Sequence, residues 1–293
     1  MFDVLGHGAH ATALLEQWGM REALGMPPQT ALQDAAYLYA NRSAQPLLVA
    51  AALTAWEAVR SVLPQPALVA GYSIGELSAY AVAGSLSPPD ALALAAARAA
   101  AMDGCIASDA PQAMLAVSGL ALPLLRGMLP AGALFIAIQT GKDSAIVGGL
   151  REHAQALRAQ AEQRGARVTA LPMGVASHTP LMQPAVAPFL AELRGRGFSD
   201  PVLPVICGIS AEGVRRKDRA METLARQLAD TVLWDQCMDS CAEAGISIAL
   251  ELGPGRALSR MLEQRHPHIA CRSVCEFRSA AGVAAWAGRH FDE

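Results

Sequence analysis

The sequence predicts an α/β fold with a smaller unit inserted into it, on three observations. First, Ala67-Leu68-Val69-Ala70 reads as a buried strand, Gly71-Tyr72-Ser73-Ile74-Gly75 as a sharp turn, and Glu76 to Ala83 as a helix ended by Gly84. Second, strand-length apolar runs and longer helical apolar patterns recur on either side of that turn. Third, residues 111–173 carry the order strand, helix, strand, strand, helix, strand, that of a small ferredoxin-like unit.

Each element has its own signal. A helix is expected from Ala11 to Gly25, and a buried one over residues 43–60 leads to the first strand. Pro88-Pro89-Asp90 is a helix start, with apolar residues following at helical spacing to residue 103. In the inserted unit, Met114 to Val117, Ala133 to Thr140, Ser144 to Gly148 and Arg167 to Pro172 read as strands. Leu122 to Met128 and the charged amphipathic run Leu150 to Arg164 read as its helices. Beyond it come a strand at Val202 to Gly208 and helices at Met221 to Leu233 and Asp235 to Ala244. A strand at Ile246 to Leu252 follows, then the turn Gly253-Pro254-Gly255 and a last helix from Arg256. The large part is thus expected over residues 1–110 and 174–293, around a parallel sheet, with the insertion at 111–173.

Composition narrows the function classes. The 293 residues are 53% apolar and 17% charged, which suits a packed α/β enzyme. A formal net charge of −3 leaves no basic face for nucleic acid, and Arg215-Arg216-Lys217 reads as a solvated loop. The N-terminus lacks a basic stretch followed by an apolar one, and no run reaches the roughly 18 apolar residues of a membrane span. A cytoplasmic location without membrane contact is expected. Six cysteines, with no C-x-x-C pair, read as reduced core thiols, so no metal site is expected.

The chemistry centres on Ser73. In G-x-S-x-G between a strand and a helix, the serine sits on a strained elbow with its Oγ lifted clear of the sheet. Gly71 and Gly75 are expected to permit the turn and the close backbone approach, and the Ile74 N–H to face a developing oxyanion. A plain Gly-rich turn with a capping serine is the bland reading. An activated serine needs a base. Among the histidines, His153, His266, His268 and His290 fall on surface-like segments. His178, in Gly174-Val175-Ala176-Ser177-His178-Thr179-Pro180, lies where the chain returns from the insertion, at a cleft edge. No Asp or Glu presents itself as a third member, and a backbone carbonyl would suffice to fix the histidine tautomer. Glu76 reads as favouring its helix dipole, and Glu251 as a turn acceptor. Arg98 is the only positive charge in an apolar, alanine-rich helix, so it either snorkels to the surface or clamps a carboxylate.

Together these pieces resemble the malonyl-CoA:acyl carrier protein transacylases over nearly the whole chain. Gly71-Tyr72-Ser73-Ile74-Gly75-Glu76 looks like that family's GHSxGE elbow, and Gln45-Pro46 like its Gln-Pro helix start. Arg98, 25 positions after Ser73, falls at the carboxylate-binding arginine. Ser177-His178 with Met182 looks like SH-x-x-x-M, and Glu251-Leu252-Gly253-Pro254-Gly255 like EVGPG.

The resemblance implies an α/β-hydrolase-like large subdomain and ping-pong transfer. His178 takes the Ser73 proton, Ser73 attacks malonyl-CoA, and Arg98 holds the malonyl carboxylate. The thiol of a carrier protein's phosphopantetheine-type group then accepts the acyl group, with no bound cofactor. Tyr72, where the family has histidine, resembles the epsilon subunit of malonate decarboxylase, which would make that enzyme's carrier subunit the partner. Leu233 is expected to supply the carbonyl that orients His178. The family's N-terminal PGQGxQ loop, source of a second oxyanion donor, is expected to be missing, the chain starting inside the first helix region. The rival reading is a shortened loop, Gly6 to His10, with His10 in the glutamine's place. Three other functions stay open: a malonyl transacylase of fatty-acid or polyketide synthesis, a serine hydrolase, which would want an acidic third member and has no use for Arg98, and a non-enzymatic docking subunit.

Overall fold

The computed structural model describes residues 8–290, and of Ala35 the backbone alone. The chain opens on helices α1 (Gly8–Gln17), α2 (Met20–Leu24), α3 (Pro28–Ala31), α4 (Ala35–Tyr39) and α5 (Asn41–Val59). Strand β1 (Val69–Ala70) runs into the elbow helix α6 (Gly75–Val82), followed by α7 (Pro88–Asp103). Then come β2 (Gln112–Ser118), α8 (Leu122–Met128), β3 (Leu134–Gly141), β4 (Ser144–Leu150), α9 (Arg151–Glu162) and β5 (Arg167–Ala170). The return includes α10 (Gln183–Arg194), β6 (Val205–Ile206), β7 (Gly213–Val214), α11 (Lys217–Arg226) and β8 (Val232–Leu233). It closes with α12 (Trp234–Glu243), β9 (Ile248–Glu251), α13 (Ala257–Arg265), β10 (Ala270–Ser273) and α14 (Ala280–Gly288).

Most expected elements are present, and the local chemistry explains their ends. Ser87 caps α7, its Oγ accepting from the Asp90 N–H at 3.2 Å, with prolines filling the first turn where no N–H is needed. Gly84, at φ 74°, stops α6, and the Ser85 N–H reaches back to the Tyr80 carbonyl. Gly19, also at φ 74°, splits the single helix expected from Ala11 to Gly25 into α1 and α2.

Two differences bear on the site. The sheet of the large part is not one continuous parallel layer. β1 pairs parallel with β6, β7 joins antiparallel, and β9–β10 form a separate parallel pair. The second difference concerns Met221 to Leu233, expected to be one helix. The helix runs from Lys217 and ends at Arg226, because Val232 and Leu233 pair with Ile138 and Gln139 of β3. An apolar pair claimed by a neighbouring strand overrides helical periodicity. β8 thereby extends the sheet of β2 to β5, ordered β5-β2-β4-β3-β8.

Small residues set the spacing around the elbow. Ala91, Ala95 and Ala99 of α7 are buried, as are Ala50, Ala51 and Ala55 of α5, so the two helices approach closely. That approach brings Arg98 of α7 within 2.7 Å of Gln45 of α5. Leu77 and Tyr80 of α6, with Leu92, Leu94 and Phe189, fill the core beneath. Each such side chain contributes about 1.5–3 kcal/mol on burial. Among the described residues, no helix is long and apolar enough to cross a membrane. All six cysteines are unpaired.

Candidate active site

The elbow forms at Ser73, whose backbone is held at φ 54°. Such a left-handed conformation in a non-glycine residue is strained by about 1–3 kcal/mol and persists only where the surroundings enforce it. The enforcement is visible at Gly71. A Cβ there would lie 2.2 Å from the Glu76 N and 2.3 Å from the Gly75 carbonyl, so only glycine fits. Gly75 differs from expectation: a Cβ there would meet nothing within 4 Å, and its φ is not positive. Its place is the first residue of α6, where no close approach demands glycine.

His178 meets the serine. Its Nε2 lies 2.7 Å from Ser73 Oγ. Its Nδ1 lies 2.6 Å from the main-chain carbonyl of Gln227. A carbonyl can only accept, so Nδ1 carries the proton and Nε2 presents its lone pair to the serine hydroxyl. The His178 backbone is also strained, at φ 61°, and its N–H donates to the Leu228 carbonyl at 2.7 Å. Both carbonyls lie just past the end of α11, where helix carbonyls have no partner within the helix. The early stop of α11 is therefore what holds the histidine.

This corrects the assignment of Leu233. Leu233 belongs to β8 and its N–H donates to the Gly208 carbonyl, while Gln227 orients the imidazole. Burial holds the imidazole at a pKa of about 3, with the nearby Arg98 charge adding to the effect and the Gln227 bond opposing it. The imidazole is neutral at any physiological pH.

Arg98 does not snorkel; only 2% of it is exposed. Its Nη1 donates to Gln45 Oε1 at 2.7 Å and its Nη2 to Gln227 Oε1 at 3.1 Å. Burial lowers its pKa to about 10, opposed by the charge of Glu76. Glu76 is likewise fully enclosed, which its reading as a helix-dipole residue does not explain. Its Oε2 accepts from Gln227 Nε2 at 2.5 Å and from the Gly208 N–H at 3.0 Å. Burial raises its pKa to about 7, against those two hydrogen bonds and the Arg98 charge. Glu251 behaves as expected, accepting from the Leu258 and Ser259 N–H groups at the start of α13.

The Ile74 N–H takes no protein acceptor among the described residues, which leaves it available to an oxyanion. His10 lies inside α1 with an exposed side chain, so it does not end a glycine loop as the rival reading required. Gly6 and His7 fall outside the described residues. Tyr72 packs edge-to-face on Trp234, ring centroids 5.2 Å apart, and burial pushes its phenol pKa up. Among the described residues, no group of His, Cys, Asp or Glu could hold a metal ion.

The site thus combines a strained serine, a neutral imidazole, an unpartnered amide and a buried guanidinium, a set suited to covalent acyl chemistry on an anionic substrate. Comparison with known proteins agrees with it. Residues 20–284 match the acyl transferase domain family. The malonyl CoA-acyl carrier protein transacylase of Mycobacterium tuberculosis is 31% identical over 285 residues, covering 92% of this chain and 94% of that protein. The structure of a malonyl CoA-acyl carrier protein transacylase from Coxiella burnetii superposes with a TM-score of 0.90 at 22% identity, covering 99% and 93% of the two chains. A counterpart from Acinetobacter baumannii gives 0.85 at 27%, covering 99% and 94%.

Proposed function

This chain belongs to the acyl transferase domain family, and we propose that it is a malonyl-CoA:acyl carrier protein S-malonyltransferase working by a ping-pong route. The observation that carries the reading is the chain Ser73 Oγ, His178 Nε2, His178 Nδ1, Gln227 carbonyl, with a buried arginine beside it. His178 Nε2 takes the Ser73 proton as Oγ attacks the thioester carbonyl of malonyl-CoA. The Ile74 N–H receives the oxyanion. The C–S bond breaks, the thiolate takes the proton from His178, and malonyl-Ser73 remains. The carrier's phosphopantetheine-type thiol then gives its proton to His178 and attacks the ester. Collapse returns the proton to Ser73 Oγ and leaves malonyl on the carrier. Arg98 pairs with the free malonyl carboxylate throughout, and no cofactor is needed.

The full-length match to a stand-alone transacylase supports service to a carrier of fatty-acid or polyketide synthesis. A second reading, the transacylase subunit of malonate decarboxylase with that enzyme's carrier as partner, rests on Tyr72 in the elbow. A serine hydrolase is disfavoured because its expected acidic partner is replaced at Nδ1 by a carbonyl. We read residues 1–110 and 174–293 as the α/β-hydrolase-like part and 111–173 as the ferredoxin-like insertion, supported by its β5-β2-β4-β3 strand order. A reducing, cytoplasmic setting fits the six unpaired thiols.

The test is transfer itself. Holo carrier protein incubated with malonyl-CoA and this enzyme gains a malonyl group, by intact mass. Ser73→Ala abolishes the gain. Release of free malonate with no carrier product would establish a hydrolase instead.

A further inference from the structure

We propose that Glu76 is a positioning residue for both halves of the site, acting through Gln227. Gln227 touches His178, Arg98 and Glu76. Its main-chain carbonyl holds His178 Nδ1 at 2.6 Å, and its side-chain Oε1 accepts from Arg98 at 3.1 Å. Base and carboxylate clamp therefore share a support, beside the separate bond from Arg98 to Gln45. That support lies just beyond the end of α11, where no helical hydrogen bond fixes the Gln227 carbonyl. The Gln227 N–H donates to the Thr223 carbonyl at 2.8 Å, and its side chain is tied on the far side from Arg98 by the bond from Nε2 to Glu76 Oε2.

Glu76 is well placed to be fixed itself. It stands on the first turn of α6, three residues after the nucleophile, so the elbow sets its position. Its Oε2 also accepts from the Gly208 N–H, across the strand β6 that neighbours the elbow strand. Gly208 has no room for a side chain, since a Cβ would sit 2.9 Å from Glu76 Oε2 and 3.3 Å from Gln227 Nε2. The other oxygen, Oε1, is buried without a partner. A carboxylate in that state is costly unless its bonds are needed. Arg98 supplies the facing charge from α7 without a contact ion pair among the described residues. The nucleophile and the residue that orients its base are thus tied to the same helix turn.

The inference rests on acyl transfer through Ser73, so the test reads both. Malonylation of the enzyme by malonyl-CoA, and acetylation by acetyl-CoA, are followed by rapid quench and intact mass. The proteins are wild type, Glu76→Gln, Glu76→Leu and Glu76→Asp. Glu76→Gln keeps an oxygen for both donors and should acylate within a few-fold of wild type. Glu76→Leu keeps the volume and loses the acceptor. It should lose on the order of 10²-fold in acylation rate constant, the cost of misplacing a catalytic group by about 1 Å. Its preference for malonyl over acetyl should fall as well. The His178 Nδ1–H proton resonance should persist in Glu76→Gln and move in Glu76→Leu, which loss of packing alone would not require. If Glu76→Leu does not fold, Glu76→Asp decides. Its withdrawn carboxylate should slow acylation about tenfold or more. Wild-type rates in a folded Glu76→Leu, or in Glu76→Asp, would overturn the proposal, as would a Glu76→Gln as slow as Glu76→Leu. A wild-type enzyme that forms no malonyl adduct would instead defeat the transferase reading.

Discussion

Replacing Arg98 by methionine tests the substrate assignment most sharply, because its expected effect depends on the charge of the acyl group. The guanidinium has five N–H donors. Two are used, by Gln45 and Gln227, and no further acceptor is found among the described residues. A malonyl carboxylate could take two of the others in a bidentate pair. A hydrogen bond to a charged group contributes about 1.5–3 kcal/mol, so the pair is worth about 3 kcal/mol at its lower end. At about 1.4 kcal/mol per decade, this is roughly a 10²-fold loss in kcat/KM for malonyl-CoA. Acetyl-CoA has no carboxylate to lose. It should suffer only the indirect cost of freeing Gln45 Oε1 and Gln227 Oε1. Methionine keeps most of the volume, but Glu76 is left without its compensating charge, so some loss of stability accompanies the change. The deciding quantity is therefore the malonyl-to-acetyl ratio, from stopped-flow acylation with both donors in the same preparation. A ratio about 100-fold lower than wild type is expected. An unchanged ratio, with both donors equally slowed, would refute the clamp and leave Arg98 as a structural cation.

Two further outcomes follow from particular residues. His178, held at a pKa of about 3 by burial, should stay a competent base well below its ordinary range. Acylation at saturating donor should show no inflection near pH 6.5. At pH 5 an ordinary imidazole would be only about 3% neutral. The profile is best read in Glu76→Gln, which removes a carboxyl titrating at about 7. Because the folded pKa of His178 lies below its unfolded one, its contribution to stability is complete above pH 6.5 and is lost as the pH falls towards about 3. Glu76 has the opposite sign: burial raises its pKa, so its contribution is complete below about 4.5 and is lost as the pH rises through about 7. The two glycines of the elbow should separate. Gly71→Ala drives a Cβ into backbone at 2.2 Å and should cost 3 kcal/mol or more, or prevent folding. Gly75→Ala, with open space in a helix turn, should raise stability by about 0.5–1 kcal/mol, read by urea denaturation.

Much of the site is legible in the sequence because its chemistry sits in side chains at fixed motif positions. Ser73, His178 and Arg98 fall where they do in a contiguous elbow, a loop and an apolar helix with one charge. The helix α7 and the inserted segment's order of elements follow from start signals and apolar rhythm. Gln227 is not legible, because it works through a main-chain carbonyl that any residue carries. Its position depends on where α11 stops. Met221, Leu224 and Leu228 continue a helical pattern towards Val232, and only the pairing of β8 with β3 interrupts it. Leu233 is the position the family resemblance implies, but the carbonyl that orients His178 belongs to Gln227, six residues earlier and just past the end of α11. Glu76 is visible in the elbow motif, yet its partners Gln227 and Gly208 lie more than 130 residues away in sequence. The rival reading of His10 as an oxyanion donor fails because that residue is helical.

The most direct measurement is the mass of the enzyme itself after brief incubation with malonyl-CoA, followed by peptide mapping of the adduct. The account predicts a single malonyl group on Ser73, absent from Ser73→Ala, and discharged when holo carrier protein is added. Unmodified wild-type enzyme, or an adduct on another residue, would contradict it.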